Sequence, residues 1–228
     1  SVWEDEIYRQ IQGTYPVIFL SFADVKADNI QDAKQQVKMK IEELYRNSRY
    51  LLDSDIFDND EKLGFRQMNM SMNDAVCSMS LKQLCYYFER YYDKKTIILL
   101  DEYDTPMQEA YIHGYWDEFT AFLRSLFNAT FKTNPYLERA VMTGITRVSK
   151  ESMFSDLNNL NVVTTTSDEY SSCFGFTEDE VFESLDAFGL SDKKAEVKKW
   201  YDGFTFGSHK DIYNPWSITS YLDKRKLA

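Results

Sequence analysis

Asp101 and Glu102 stand at the end of four consecutive aliphatic residues, Ile97-Ile98-Leu99-Leu100. Two adjacent carboxylates in that place suit two tasks. An Asp directly after a buried strand can hold Mg²⁺, often through its hydration shell, while the metal bridges the β- and γ-phosphates of a nucleotide. A Glu immediately after it can orient or deprotonate the attacking water. This is the Walker B arrangement of nucleotide hydrolases. An apolar run ending in Asp-Glu also occurs as a plain strand with solvated acids, so the pair alone does not decide the chemistry.

The elements that must position these acids are legible on either side. A run that is apolar at odd and even positions alike predicts a strand covered on both faces, as in α/β sheets with flanking helices. In such sheets ligands bind beyond the carboxyl ends of the strands, where the two acids fall. Thr105-Pro106-Met107-Gln108 supplies a capping Thr, a Pro in the first helical position and a Gln where a capping box wants it. Asp104 lies on that strand-to-helix junction, where it either caps the helix or pairs with a basic residue.

Further out, residues 15–22 are rich in β-branched and aromatic types and predict a second strand, with Pro16 at its start. Ile30, Ala33, Val37, Ile41 and Leu44 recur at helical spacing. Residues 52–73 read as an exposed acidic connection, and Ser80 with Gln83 as the cap of a helix leading into the acid-bearing strand. Gly114 predicts a break. Phe119, Phe122, Leu123, Leu126 and Phe127 then line one helical face that ends near Asn134-Pro135. Residues 139–145 predict a third strand with Thr143 near its end, and residues 161–166 a fourth. Thr177 with Glu180, Ser191 and Asn214-Pro215 each open a helix, with Asp202-Gly203 as a turn. The fold class is therefore α/β: a mainly parallel sheet flanked by helices over residues 1–176, and a small helical lid over residues 177–228.

The 228 residues carry 26 Lys and Arg against 37 Asp and Glu, a net charge of −11. A surface that tracks phosphate backbones needs the opposite balance, so this chain is expected to bind nucleic acid poorly. No apolar stretch approaches the roughly 20 residues that span a bilayer. The acidic opening, Ser1 to Glu6, does not read as a signal peptide. Cys77, Cys85 and Cys173 have no metal-ligand spacing, and His113 and His209 lie far apart. Neither zinc nor a disulfide framework is expected, and the cytoplasm is the expected compartment.

Six segments occur in a telling order: residues 15–22, Asp101-Glu102-Tyr103-Asp104-Thr105-Pro106, Thr143-Gly144-Ile145-Thr146-Arg147-Val148, Leu157-Asn158-Asn159-Leu160, Phe174-Gly175-Phe176-Thr177-Glu178 and Trp200-Tyr201-Asp202-Gly203. Together they resemble the predicted AAA-ATPase-like domain of bacterial and archaeal proteins, which commonly precedes a PD-(D/E)XK nuclease-like domain. The resemblance implies an ATPase with a P-loop fold that uses Mg²⁺ and ATP. It implies Asp101 as the Mg²⁺-associated acid, Glu102 as the acid beside the hydrolytic water, and Thr143 as the polar sensor of the γ-phosphate. Arg147 would neutralise phosphate charge within the subunit or across an interface; alternatively it pairs with Glu151 one helical turn on. The Trp200-Tyr201-Asp202-Gly203 and Tyr213-Asn214-Pro215-Trp216 segments are expected to pack the lid.

One departure matters. A P-loop needs Gly-x-x-x-x-Gly-Lys-Ser/Thr, and none of the eight glycines begins one. In the family that loop, with its strand and helix, precedes the region corresponding to Ser1, and its strand runs beside the sensor strand. Without it two ladder edges are unpaired, which invites self-association. Weak nucleotide binding and negligible hydrolysis are expected of this chain by itself. Two other readings stay open: an interaction domain that kept the scaffold and lost the phosphate site, and a metal-dependent phosphodiesterase built on Asp101, Glu102 and Asp104.

Overall fold

The computed structural model describes residues 5–145, 157 and 159–226. The chain divides into two compact units, Ser1–Asn159 and Leu160–Ala228. In the first, a short helix α1 (Glu6–Ile11) leads to β1 (Val17–Ser21), α2 (Ile30–Asn47), α3 (Asn59–Gln67) and α4 (Asp74–Tyr92). Then come β2 (Thr96–Asp101), α5 (Thr105–Ile112), α6 (Trp116–Phe127) and β3 (Leu137–Met142). The three strands are parallel in the order β1-β2-β3, so the acid-bearing strand is central.

Strand alternation decides which side chains reach the core. Ile18 and Leu20 of β1 and Ile98 and Leu100 of β2 share one face and are buried. On that side α4, carrying the buried Leu81, Leu84 and Cys85, packs against β2 and against α6. Each such aliphatic side chain contributes roughly 1.5–3 kcal/mol by leaving water. The other face differs from the expectation of cover on both sides. Val17, Phe19 and Val141 remain 48%, 58% and 47% exposed. The residues are apolar enough for a doubly covered sheet, but the described chain fully covers only one side of it.

Three boundaries also differ from the sequence pattern, the first being β3, expected over residues 139–145 and running from Leu137 to Met142. Helix α4 begins after Asn73, whose side chain accepts the Val76 amide at 2.9 Å. Ser80 lies inside this helix, its hydroxyl on the Cys77 carbonyl at 2.7 Å and its own carbonyl accepting the buried Tyr45 hydroxyl at 2.8 Å. The stretch 52–73 is more than an exposed connection. It contains α3, opened by a capping box between Asp58 and Glu61, and it buries Phe57 and Phe65. Those rings pack on Tyr87 and Tyr45 at centroid distances of 4.5 and 4.8 Å. The acids that made the segment look solvent-bound are in part helix-capping groups.

The second unit holds β4 (Phe176–Thr177), α7 (Glu178–Ala187), α8 (Lys194–Tyr201), β5 (Asp202–Phe206), β6 (His209–Tyr213) and α9 (Pro215–Lys224). Thr177 and Glu180 form the expected capping box, and Asn214 caps α9 with Pro215 in its first turn. Val181, Leu185, Val197, Tyr213, Ile218 and Tyr221 make its core. Of the two segments expected to pack here, Tyr213 is buried in this core and Tyr201 lies against it, whereas Trp200 and Trp216 are largely exposed. Beside its helices this unit carries an antiparallel sheet in the order β4-β6-β5. Asp202-Gly203 opens β5 rather than turning the chain; the hairpin turns at Gly207-Ser208, where the Ser208 amide donates to Asp168 at 2.6 Å. Residues 161–166, expected as a fourth parallel strand, form no strand. Thr164 bonds the Thr166 hydroxyl at 2.8 Å and its carbonyl accepts the Ser167 amide at 2.9 Å. Such local side-chain bonding competes with strand pairing. No helix among the described residues is long and apolar enough to cross a membrane.

Candidate functional site

The parallel register brings the ends of three strands to one rim. Ser21 stands opposite Asp101, and Leu100 opposite Met142. The ladder continues past the strands: the Phe22 amide donates to the Asp101 carbonyl at 2.9 Å, and the Thr143 amide to the Leu100 carbonyl at 2.9 Å. Thr143 is thereby set beside Asp101, and its hydroxyl donates to Asp101 Oδ1. Two residues 42 apart in sequence thus touch at the carboxyl end of the sheet.

Glu102 is held differently. Its φ is +51°, in the left-handed region that a non-glycine residue enters at a cost of about 1–2 kcal/mol. The turn is secured by Thr105, whose amide donates to the Glu102 carbonyl at 3.2 Å and whose hydroxyl donates to Glu102 Oε2 at 3.0 Å. Asp101 and Glu102 are both partly exposed.

Thr105 therefore serves Glu102, and the cap of α5 falls to Asp104, one residue earlier than the capping pattern suggested. The Asp104 carbonyl accepts the Met107 and Gln108 amides at 3.0 and 2.9 Å. Its carboxylate is 1% exposed and accepts from Gln108 Nε2 at 3.0 Å. Gly144, to which the motif around it assigns no task, lies hard against it. A Cβ on Gly144 would sit 2.4 Å from Asp104 Oδ1 and 2.9 Å from Cε1 of Tyr103. Only the strand-end position of this glycine, directly after Thr143, hinted at such an approach. Arg147, with its alternative partner Glu151, lies outside the described residues.

Among the described residues no three His, Cys, Asp or Glu side chains are grouped to hold a metal ion. Asp101, Glu102 and Asp104 therefore do not make a metal cage, because Asp104 turns inward to α5 and Glu102 to Thr105. A single rim carboxylate does suit Mg²⁺, which keeps several waters and binds through one or two carboxylates plus substrate phosphates.

The fold is thus a parallel α/β sheet with an acid pair and a hydroxyl gathered beyond its central strand. Residues 1–154 match the family described as predicted AAA-ATPase, and the chain belongs to this AAA-ATPase-like family. It is also 30% identical over 138 residues to a protein of Azotobacter chroococcum mcd 1 described as uncharacterized, in the vnfD 5′ region. That match takes in 59% of this chain and 26% of the relative, so the chain spans about a quarter of the relative's length. No solved structure matches the chain.

Proposed function

We propose that the rim formed by Asp101, Glu102 and Thr143 is the acid half of a nucleoside-triphosphatase site, and that the protein hydrolyses ATP to drive a conformational change. The observation that carries this reading is the Thr143–Asp101 contact at the carboxyl end of adjacent parallel strands, with Glu102 next in the chain. In this reading Asp101 would hold Mg²⁺, and Thr143 fixes the rotamer of that carboxylate. When bound, Mg²⁺ neutralises charge on the β- and γ-phosphates. Glu102 orients the attacking water and takes its proton. Thr105 limits the orientations open to that carboxylate. The glycine-rich phosphate cradle is not among the 228 residues. Hydrolysis then needs a cradle from another segment or another chain, and these residues by themselves bind nucleotide weakly.

The test is steady-state phosphate release by the longest natural chain that contains these residues. Glu102→Gln keeps size and hydrogen bonding but cannot accept the proton. It should lower kcat by about 10²–10⁴-fold, the usual worth of a general base, while ATP affinity changes little. Turnover by Glu102→Gln at the wild-type rate would refute the assignment. A second reading, an interaction domain that kept the scaffold without the reaction, is favoured by the exposed apolar sheet face around Phe19 and Val141. Absence of any phosphate release from the natural chain would select it.

A further inference from the structure

The loops that follow β2 and β3 are tied together on both sides of the acid pair. The Thr143 amide reaches back to the Leu100 carbonyl at 2.9 Å, and the Tyr103 amide reaches across to the Thr143 carbonyl at 3.1 Å. Between those two bonds lie Asp101 and Glu102. Glu102 keeps a sparsely populated backbone conformation, which persists only where the surroundings over-determine it. Thr105 secures it from within its own loop, and a restraint from outside that loop must come from the loop after β3.

Asp104 is placed to receive it. At 1% exposure it is no solvated rim acid. Its carbonyl caps α5 and its carboxylate is fixed by Gln108 from the first turn of the same helix, so the side chain is as rigid as the helix that carries it. Gly144 rests on this carboxylate and on the Tyr103 ring so closely that even a methyl group has no room. The contact distance between the two loops is therefore set by a glycine on one side and a helix-anchored carboxylate on the other.

We propose that Asp104 and Gly144 form a positioning latch that sets the spacing of Thr143 from Asp101 and the orientation of Glu102. Its catalytic consequence rests on the hydrolytic reading above; the latch itself does not. Neither residue touches the reacting atoms. Asp104 is the shelf on which the loop after β3 lies, and Gly144 is the one residue type that lets the loop lie there. A side chain at 144 lifts that loop, stretches the Tyr103–Thr143 bond and frees the Glu102 backbone.

The experiment uses the longest natural chain and two readouts: amide hydrogen exchange at Tyr103 and Thr143, and kcat against KM for phosphate release. Gly144→Ala should speed exchange at both amides by about tenfold or more relative to amides of α4, as local opening does. It should lower kcat by about a hundredfold with KM within about threefold, the signature of misplaced groups rather than lost binding. Asp104→Ala removes the shelf. Combined with Gly144→Ala it removes the nearer of the two obstructions and leaves the methyl only the edge of the Tyr103 ring, so the double variant should exchange more slowly at Tyr103 than Gly144→Ala alone, a non-additive result. Asp104→Asn keeps the shape and should retain most of the protection. Unchanged exchange in Gly144→Ala, additive losses in the double variant, or Asp104→Asn as damaging as Asp104→Ala would each overturn the latch. Should Gly144→Ala fail to fold, the comparison of Asp104→Asn with Asp104→Ala still decides. A wild-type chain with no turnover would defeat the hydrolytic reading, while the exchange measurements would judge the latch independently.

Discussion

Single carboxylates in this protein are tuned in opposite directions by what lies beside them, and the sign of each effect follows. Burial alone would raise the Asp74 carboxyl, but Lys38 and Lys34, at 2.8 and 2.9 Å, outweigh it and hold the group below its ordinary value of 3.8. A carboxylate held low in the folded state adds stability above 3.8, and that stability is lost as pH falls through the folded value. Asp202 is the reverse. Burial first, then the neighbouring Asp211 and Glu178, push it up, and Lys198, bridging Glu178 and Asp211, only partly compensates. Its contribution is therefore present below 3.8 and lost as pH rises through its raised folded value. Asp202→Asn should thus stabilise the chain near neutral pH, by no more than about 0.5–1 kcal/mol for so accessible a group. The gain should vanish below about pH 3, where the wild-type acid is protonated in both states. Thermal unfolding of the two proteins at both pH values measures it. A gain that persists in acid would mean that Asn improves packing and that charge is not the cause.

Among the elements, α4 links the acid-bearing strand to α6, packing against both. Its first turn depends on Asn73, and Asn73→Ala should cost about 1 kcal/mol, read as a lower urea midpoint at unchanged slope. Asn73→Ser, which also caps, should restore most of it. This helix shows where sequence reasoning succeeds and where it stops. The apolar spacing of Leu81, Leu84 and Phe88 announced a helix. Ser80 looked like its cap because the same hydroxyl that can bond an amide ahead can also bond a carbonyl behind, and here it takes the Cys77 carbonyl. Position along the chain does not distinguish the two; burial does. The parallel strands β1 and β2 were legible because each is a concentrated apolar run; β3 was legible only in its Ala140-Val141-Met142 half, since it begins at Leu137 with Glu138 and Arg139 inside it. The hairpin of β5 and β6 was not, because Asp-Gly commonly turns a chain, whereas here the turn falls at Gly207-Ser208, whose amides donate to the distant Thr165 carbonyl and Asp168 carboxylate. For the rim, Asp101 and Glu102 could be read from the strand that delivers them. The touch of Thr143 on Asp101 and the seat of Gly144 on Asp104 depend on register between strands some 40 residues apart in sequence, which periodicity does not encode.

At the scale of the whole molecule, two properties oppose each other. Parallel sheets are ordinarily buried on both faces, yet Phe19, Val17 and Val141 leave one face of this sheet partly open, and β1 and β3 each have an edge that pairs with no strand among the described residues. Apolar faces and free edges favour association. The net charge of −11 resists it by repulsion between copies. Salt weakens the repulsion, with a screening length of about 10 Å at 0.1 M and about 3 Å at 1 M, and leaves the apolar attraction in place. The 228-residue chain should therefore move toward larger species as salt rises, the opposite of what an assembly held by complementary charges would do. Phe19→Lys places a charge on the open face. At an already exposed position it should change folding stability by no more than about 0.5 kcal/mol. Sedimentation velocity at low and high salt separates the outcomes. Salt-promoted association in the wild type and its loss in Phe19→Lys would identify the face as adhesive. A chain that remains monomeric throughout, or a variant that associates like the wild type, would show that the open face does not drive assembly.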